Sequence, residues 1–322
     1  MEYRSLGSSG LKVSQIGLGC NNFGWRVDEQ TSVAIINHAL ESGVTFLDTS
    51  DLYGGGKSEE FLGKALKGKR SRVVIATKFG MLDRVRVSGS RHHVMQAVEN
   101  SLRKLKTDYI DLYQMHKPDP MTPIEETLRA LDGLVRAGKV RYIGCSNFPS
   151  WQIADALWTS RSCNLESFAT TQSEYSLLYR AVEGEVIPCC KSYGLGLIPW
   201  GPLAAGFLTG KYRRGEPAGA GTRLAEVPDL SSIMSDRNFD ILEEFQQFAK
   251  ERGHRVGELA IAWLLAKPII SSVISGATGT AQLDSNLAGA QWALTQQEVA
   301  EVEAITDAGR SESIYKYRKG HN

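Results

Sequence analysis

Eight short runs rich in apolar and β-branched residues recur along this 322-residue chain, each separated from the next by a longer stretch with helical character. They are Ser14–Leu18, Thr45–Asp48, Val73–Lys78, Tyr109–His116, Arg141–Ser146, Ala169–Gln172, Gly196–Trp200 and Ser271–Gly276. Helices are expected over Thr31–Ser42, Ser58–Leu66, Arg91–Lys104, Pro123–Ala137, Trp151–Trp158, Glu183–Ser192 and Val256–Leu265. In the fourth of these, Ile124, Thr127, Leu128 and Leu131, continued by Leu134 and Val135, fall on one face at 3.6-residue spacing. Strand and helix in alternation imply a parallel sheet. Runs such as Val73-Val74-Ile75-Ala76 are apolar on both faces, as suits a strand covered by helices outside and packed by side chains inside. Eight such units close as a (β/α)8 TIM barrel, which needs about 250 residues. No linker interrupts the pattern, so residues 1–322 are read as a single barrel domain.

Three segments depart from the repeat. Residues 1–13, with Gly7 and Gly10 between short extended runs, are expected to form a β-hairpin ahead of the first barrel strand. Residues 211–236, after the seventh strand, combine Gly, Pro and charge without a clear period and read as a long functional loop. Residues 307–322 are polar and read as a terminal tail.

Composition narrows the partners. A formal net charge of +1 supplies no basic field for a phosphate backbone or an anionic membrane surface, so neither nucleic acid nor membrane is expected to bind. No apolar run approaches the roughly 18 residues of a membrane span, and the first ten residues carry no signal-type apolar core. The five cysteines, Cys20, Cys145, Cys163, Cys189 and Cys190, lack metal or redox spacing and read as thiols of a reducing compartment. A cytoplasmic location is the expectation.

The active site of a barrel of this kind lies at the C-terminal ends of its strands. There the sequence places Asp48 with Tyr53 five residues on, then Lys78, His116, Ser146-Asn147, Gln172 and Trp200. Taken singly, each has an ordinary structural role. Asp48 through Asp51 can serve as turn and cap residues, Tyr53 as a half-buried aromatic, Lys78 as a strand-end lysine reaching solvent, and His116 as a loop histidine before Pro118. On one rim together they make an acid–base device. A phenol of pKa about 10 is a poor acid at neutral pH unless an ammonium stabilises its phenolate, which Lys78 can do. Asp48 is the natural partner for a lysine at the end of an apolar strand. His116 can then hold a carbonyl oxygen against the Tyr53 hydroxyl, and Tyr53 acts as general acid.

These residues and the segments around them resemble the aldo-keto reductase superfamily, in particular its bacterial oxidoreductase-like branch. The resemblance runs from Tyr3 to about Asn286 through LGSSGLKVSQIGLGCNNFG, GVTFLDTSDLYGGGKSEEFLG, YIDLYQMHKPD, KVRYIGCSNF and PWGPLAAGFLTGKY. It implies reversible, nicotinamide-dependent reduction of an aldehyde or ketone, with Asp48, Tyr53, Lys78 and His116 as the catalytic tetrad. It also implies that Ser146, Asn147 and Gln172 hydrogen-bond the nicotinamide carboxamide, that Asp48 contacts the cofactor too, that Trp200 stacks on the ring, and that Gly201, Leu203 and Lys211 lie in the segment covering the pyrophosphate. Gly276, Thr278, Gln282 and Asn286 then fall around the adenosine end.

At that end the chain departs from the family pattern. Where lysine, serine and arginine usually meet a 2′-phosphate, it has Ser275-Gly276-Ala277-Thr278, then Gln282, Ser285 and Asn286, with no cation among them. The resemblance implies NADP(H); the missing cations leave NAD(H), and an NAD-preferring alcohol dehydrogenase, open. A nicotinamide-bound regulatory subunit of the potassium-channel β type is the alternative from another class, separated by turnover. Trp25, Phe79, Tyr53 and His116 are the expected walls of the substrate mouth, with Met81 and the loop after Gly210 beside them.

Other motifs carry less. GLGCNNFG lacks the third glycine spacing and following acid of a Rossmann fingerprint, and Gly56-Lys57-Ser58 has Asp51 where a phosphate-binding loop needs glycine. His92-His93 has no third ligand in sequence reach, so no metal is expected. The oligomeric state is not encoded in any of these patterns.

Overall fold

The computed structural model describes residues 1–83 and 86–306; the expected tail, 307–322, lies outside the described residues. Its first two strands, β1 (Tyr3–Ser5) and β2 (Lys12–Ser14), form an antiparallel hairpin. Eight parallel strands follow: β3 (Ile16–Gly19), β4 (Phe46–Asp48), β5 (Val74–Phe79), β6 (Ile110–Met115), β7 (Val140–Ser146), β8 (Phe168–Glu174), β9 (Gly196–Trp200) and β10 (Val273–Gly276). They pair in chain order, with β10 returning to β3. Between β9 and β10 the wall closes through the residues just before β10. Leu197 N donates to Ile269 O, and Ser271 N to Leu197 O. This is the TIM barrel with an N-terminal hairpin that the alternation implies, with strand ends moved by one or two residues: at the first, Ser14 belongs to the hairpin and the barrel strand begins at Ile16.

The period-two alternation of the strands sorts side chains to two cores. Phe46, Val74, Ala76, Leu112, Ile198 and Ile274 fill the barrel interior, which Leu6 and Val13 from the hairpin plug from below. Gly7 makes that plug possible: its φ is +57°, and a Cβ there would lie 2.4 Å from Gly196 N. Leu47, Ile75, Phe79, Tyr113, Met115 and Ile143 face outward, beneath the helices.

The helices are α1 (Glu29–Glu41), α2 (Lys57–Ala65), α3 (Arg91–Leu105), α4 (Ile124–Arg136), α5 (Ser150–Ser162), α6 (Val186–Tyr193), α7 (Arg223–Glu226), α8 (Asp236–Glu251), α9 (Val256–Leu265), α10 (Thr280–Ala288) and α11 (Gln296–Ile305). In α4 the expected face is the buried one: Thr127, Leu128, Leu131 and Leu134 are covered. Four helices beyond the sequence expectation, α7, α8, α10 and α11, appear among the described residues. In α8, Phe239, Leu242, Phe245 and Ala249 make the buried stripe, and Ser235 caps the N-terminus by accepting from Asn238 N. α11 opens on a Thr295/Glu298 capping box, and α10 packs against α1 and α9.

The segment 211–236 is more ordered than a plain loop. It contains α7 and a 3₁₀ turn over Pro228–Ile233, anchored by buried Leu224, Leu230 and Ile233. Arg26, from the connection after β3, pairs with Glu226 and donates to Gly221 O at 2.6 Å, tying this segment to the β3 connection at the barrel mouth. No helix among the described residues is long and apolar enough to cross a membrane.

Candidate active site

Asp48 ends β4 and Lys78 is the penultimate residue of β5; both point inward because they stand two residues beyond the core side chains Phe46 and Ala76. The Lys78 ammonium is fully buried and donates to both Asp48 carboxylate oxygens at 2.8 Å, to Thr49 O at 2.9 Å and to the Tyr53 hydroxyl at 3.3 Å. Gln172 Nε2, from β8, donates to Asp48 Oδ1 at 2.8 Å. Burial alone would lower the Lys78 pKa, but the charge of Asp48, aided by Tyr53 and the hydrogen bonds to both, more than offsets it and holds the ammonium above its ordinary value.

Tyr53 opens a turn, Tyr53–Gly56, in which Gly54 and Gly55 adopt left-handed φ of +59° and +66°. A Cβ on Gly54 would sit 2.3 Å from Phe23 O, so the glycine lets this turn press against the β3 connection. The phenol does not behave as its neighbour alone would dictate. Burial raises its pKa more than Lys78 lowers it, and Asp48 adds to the rise. The expectation of a depressed phenol pKa is thereby corrected: Tyr53 is a neutral phenol whose phenolate Lys78 is placed to stabilise as it forms.

His116 follows β6, with its ring edge-to-face on Tyr53 at 5.9 Å between centroids. Burial, then the charges of Lys78 and Lys117, push its pKa well below the usual imidazole value, so it is neutral. Its backbone is pinned at both ends, by His116 N donating to Phe79 O at 2.8 Å and by Asn147 Nδ2 donating to His116 O at 3.0 Å.

Above this group lies a cleft of about 630 Å³ lined by Asp48, Tyr53, His116, Ser146, Asn147, Gln172, Trp200, Gly201, Leu203, Lys211, Gly276, Thr278, Gln282 and Asn286. Of the expected site residues, Trp25, Phe79, Lys78 and Met81 are not on its surface. Lys78 lies beneath its floor, and Trp25, half exposed, meets the Arg223 guanidinium at 5.7 Å by the cleft's edge. Phe79 is corrected outright. It is fully buried and stacks on Tyr113 at 4.7 Å on the outer face of the sheet. The reason is the alternation itself: a strand that turns Lys78 inward must turn Phe79 outward.

Asn147, at a left-handed φ of +61°, acts as a brace. It donates to Ser146 Oγ and His116 O and accepts from Trp200 Nε1 at 3.1 Å, so most of its amide is committed within the protein. Gln172 Oε1 and the Ser146 hydroxyl proton keep more capacity for a ligand. Elsewhere in the cleft, Thr278 donates to Gln282 Oε1 through its backbone N–H and hydroxyl, and Asn286 Nδ2 donates to Gly276 O.

Cations reach the cleft from elements other than the strand ends. Arg223 enters from α7 and Arg255 from the residue capping α9, while Arg26 and Lys211 complete the set. The cleft also exposes need: Asn22 Oδ1, Arg223 Nε and Ser275 Oγ are buried polar atoms on its lining without a partner among the described residues. A long groove with an indole face, scattered cations and unsatisfied donors and acceptors fits a dinucleotide.

The family model for the aldo/keto reductase family matches residues 15–307. The chain belongs to this family. An uncharacterized oxidoreductase, YrpG, of Bacillus subtilis (strain 168) is 38% identical over 313 residues, 92% of this chain and 93% of the relative. A versiconal hemiacetal acetate reductase of Aspergillus parasiticus is 36% identical over 94% of this chain and 96% of its own. A probable voltage-gated potassium channel subunit beta of Oryza sativa subsp. japonica is 35% identical over 96% and 97% respectively. Aldo-keto reductases are typically NAD(P)H-dependent oxidoreductases, and the β-subunit relative shows that the same barrel also occurs under a channel-subunit name.

Proposed function

We propose that this aldo-keto reductase, acting as one barrel domain, reversibly reduces an aldehyde or ketone to an alcohol, with Tyr53 as the general acid and NADP(H) as the preferred cofactor. The observation that carries the reading is the buried Lys78 ammonium, bonded at once to the Asp48 carboxylate and the Tyr53 hydroxyl beneath an open cleft. A carbonyl oxygen placed between the Tyr53 hydroxyl and His116 meets a proton donor and an orienting imidazole. When bound, the cofactor supplies hydride to the carbonyl carbon. Tyr53 passes its proton to the oxygen, Lys78 holds the phenolate so formed, and Asp48 keeps Lys78 charged and in place.

Trp200 offers an indole face for a nicotinamide ring, with Gln172 and Ser146 beside it for the carboxamide and Gly201, Leu203 and Lys211 along the pyrophosphate. The preference for the 2′-phosphorylated cofactor rests on Arg255, which brings positive charge into the cleft that residues 275–286 lack. NAD(H) is the weaker ligand on this reading.

The plant potassium-channel β subunits favour a second reading, a nicotinamide-bound regulatory subunit, and the intact tetrad argues against it. Parallel titrations with NADPH and NADH, followed by turnover of simple aldehydes and ketones, separate the two. Tight NADPH binding with turnover supports the reductase; binding without turnover across the panel would remove it in favour of the regulatory subunit.

A further inference from the structure

Beside the tetrad, on the connection from Asp48 to Tyr53, stand two residues that the reaction as described does not use. Ser50 Oγ accepts a hydrogen bond from Leu52 N at 3.3 Å, lies 3.0 Å from Asp51 Oδ1 and 3.3 Å from His116 Nδ1. A hydroxyl has one proton and two lone pairs. With one lone pair taken by Leu52, a single proton and a single lone pair remain for two neighbours, so the bond to one dictates the bond to the other.

We propose that Ser50 and Asp51 form a relay that sets which nitrogen of His116 carries its proton, so that Asp51 selects between a donor and an acceptor facing the substrate oxygen. The proposal rests on the reading of His116 as the group that meets that oxygen. When Asp51 is ionised it takes the Ser50 proton, and Ser50 must accept from His116 Nδ1–H. His116 Nε2, which has no hydrogen bond among the described residues, then presents a lone pair to the cleft, suited to an alcohol O–H. When Asp51 is protonated it donates to Ser50, Ser50 donates to Nδ1, and the proton sits on Nε2, suited to a carbonyl oxygen. The two states differ by one proton. Uptake at Nε2, passage of the Nδ1 proton to Ser50 and of the Ser50 proton to Asp51 leaves all three groups neutral.

Asp51 is built to titrate in the working range. Burial, then the neighbouring Glu59 of α2, raise its carboxyl to about 7, against the opposing effects of Ser50, of Lys104 from α3 and of Leu52 N. Tyr113 of β6 faces the same group, its own phenol pushed up by burial and by Asp51 and Glu59. On the other side, burial together with Lys78 and Lys117 keeps His116 from taking a second proton, so it responds by changing tautomer rather than charge.

The relay is read in two ways. In imidazole ¹⁵N NMR of the full-length protein, His116 should pass from the Nε2–H to the Nδ1–H tautomer as pH rises through about 7, and Ser50→Ala should lose that transition. In kinetics, kcat/KM for carbonyl reduction should fall on the order of tenfold from about pH 6 to about pH 8, while that for alcohol oxidation rises. Asp51→Asn and Ser50→Ala should each remove this midpoint while NADPH affinity is retained. A wild-type His116 that keeps one tautomer across the range, or the same midpoint in both variants, overturns the relay. Absence of turnover in the wild type would instead overturn the reductase reading, and the NMR transition would still test the relay.

Discussion

Replacing Lys78 by Met removes the buried partner of Asp48 and, on the proposed mechanism, the charge that stabilises the Tyr53 phenolate. Two consequences separate. Asp48 is 3% exposed, and without the ammonium it keeps, among the described residues, only the Gln172 hydrogen bond to its side chain. Breaking a buried ion pair from one side costs about 3–5 kcal/mol, and the surviving bond to Gln172 places this case near about 3 kcal/mol. The rate suffers independently. An ammonium 3.3 Å from the Tyr53 oxygen interacts with a full phenolate charge by about 5 kcal/mol at an effective dielectric constant of about 20. A transition state with roughly half that charge therefore loses about 2.5 kcal/mol, so kcat should fall between roughly 70-fold and roughly 5,000-fold. Urea unfolding and steady-state NADPH oxidation with an aldehyde measure the two effects. The double variant Asp48→Asn/Lys78→Met, which removes both charges, should recover much of the stability and none of the rate. A folded Lys78→Met protein with kcat within a factor of a few of wild type would refute the role given to Lys78.

Tyr53→Phe should abolish turnover while leaving NADPH affinity nearly unchanged, since only the hydroxyl is lost; fluorescence titration beside activity reads both. Phe79→Ala should cost about 3–5 kcal/mol in thermal or urea unfolding, from the lost outer-core packing on Tyr113, with KM little altered across carbonyl substrates. A selective change in substrate preference would return Phe79 to the mouth. Glu226→Gln, which weakens the tie to Arg26, should speed cofactor release about fivefold, the equivalent of about 1 kcal/mol for one partly exposed pair; unchanged release in stopped flow would deny the tie any hold on the cleft. Asp51→Asn should stabilise the protein more at pH 8 than at pH 5. The folded carboxyl titrates near about 7 against about 4 unfolded, so folding takes up a proton in between and wild-type stability is lost as pH rises through that window.

The barrel was legible because its signal is redundant: eight apolar runs alternating with seven helical segments leave few other closed arrangements. The grouping of Asp48, Lys78 and His116 was legible for a related reason, since the ends of β4, β5 and β6 place them on one rim with no detail beyond strand position. Phe79 shows where reading by position fails. Adjacency in sequence to Lys78 is opposition in space on a strand, and the two-residue period, applied one residue further, gives the outward placement. Arg223 and Arg255 were missed for a different reason. Neither ends a strand; a loop return carries one and the start of α9 the other, and only the closed barrel shows that both come back to the cleft. For α8, the spacing of Phe239, Leu242, Phe245 and Ala249 was present, diluted by the charged residues on the helix's exposed side. The phenol pKa of Tyr53 was misjudged because a charge partner can be named from sequence while the depth of burial cannot.

The most direct test of the account is transfer of deuterium from NADPH labelled at its transferable nicotinamide position to a panel of aldehydes and ketones, read by mass spectrometry of the products. Deuterium at the carbinol carbon with the wild-type protein, and none with Tyr53→Phe, is the predicted result. A protein that binds the labelled cofactor tightly yet transfers no deuterium to any carbonyl would contradict the proposed reductase.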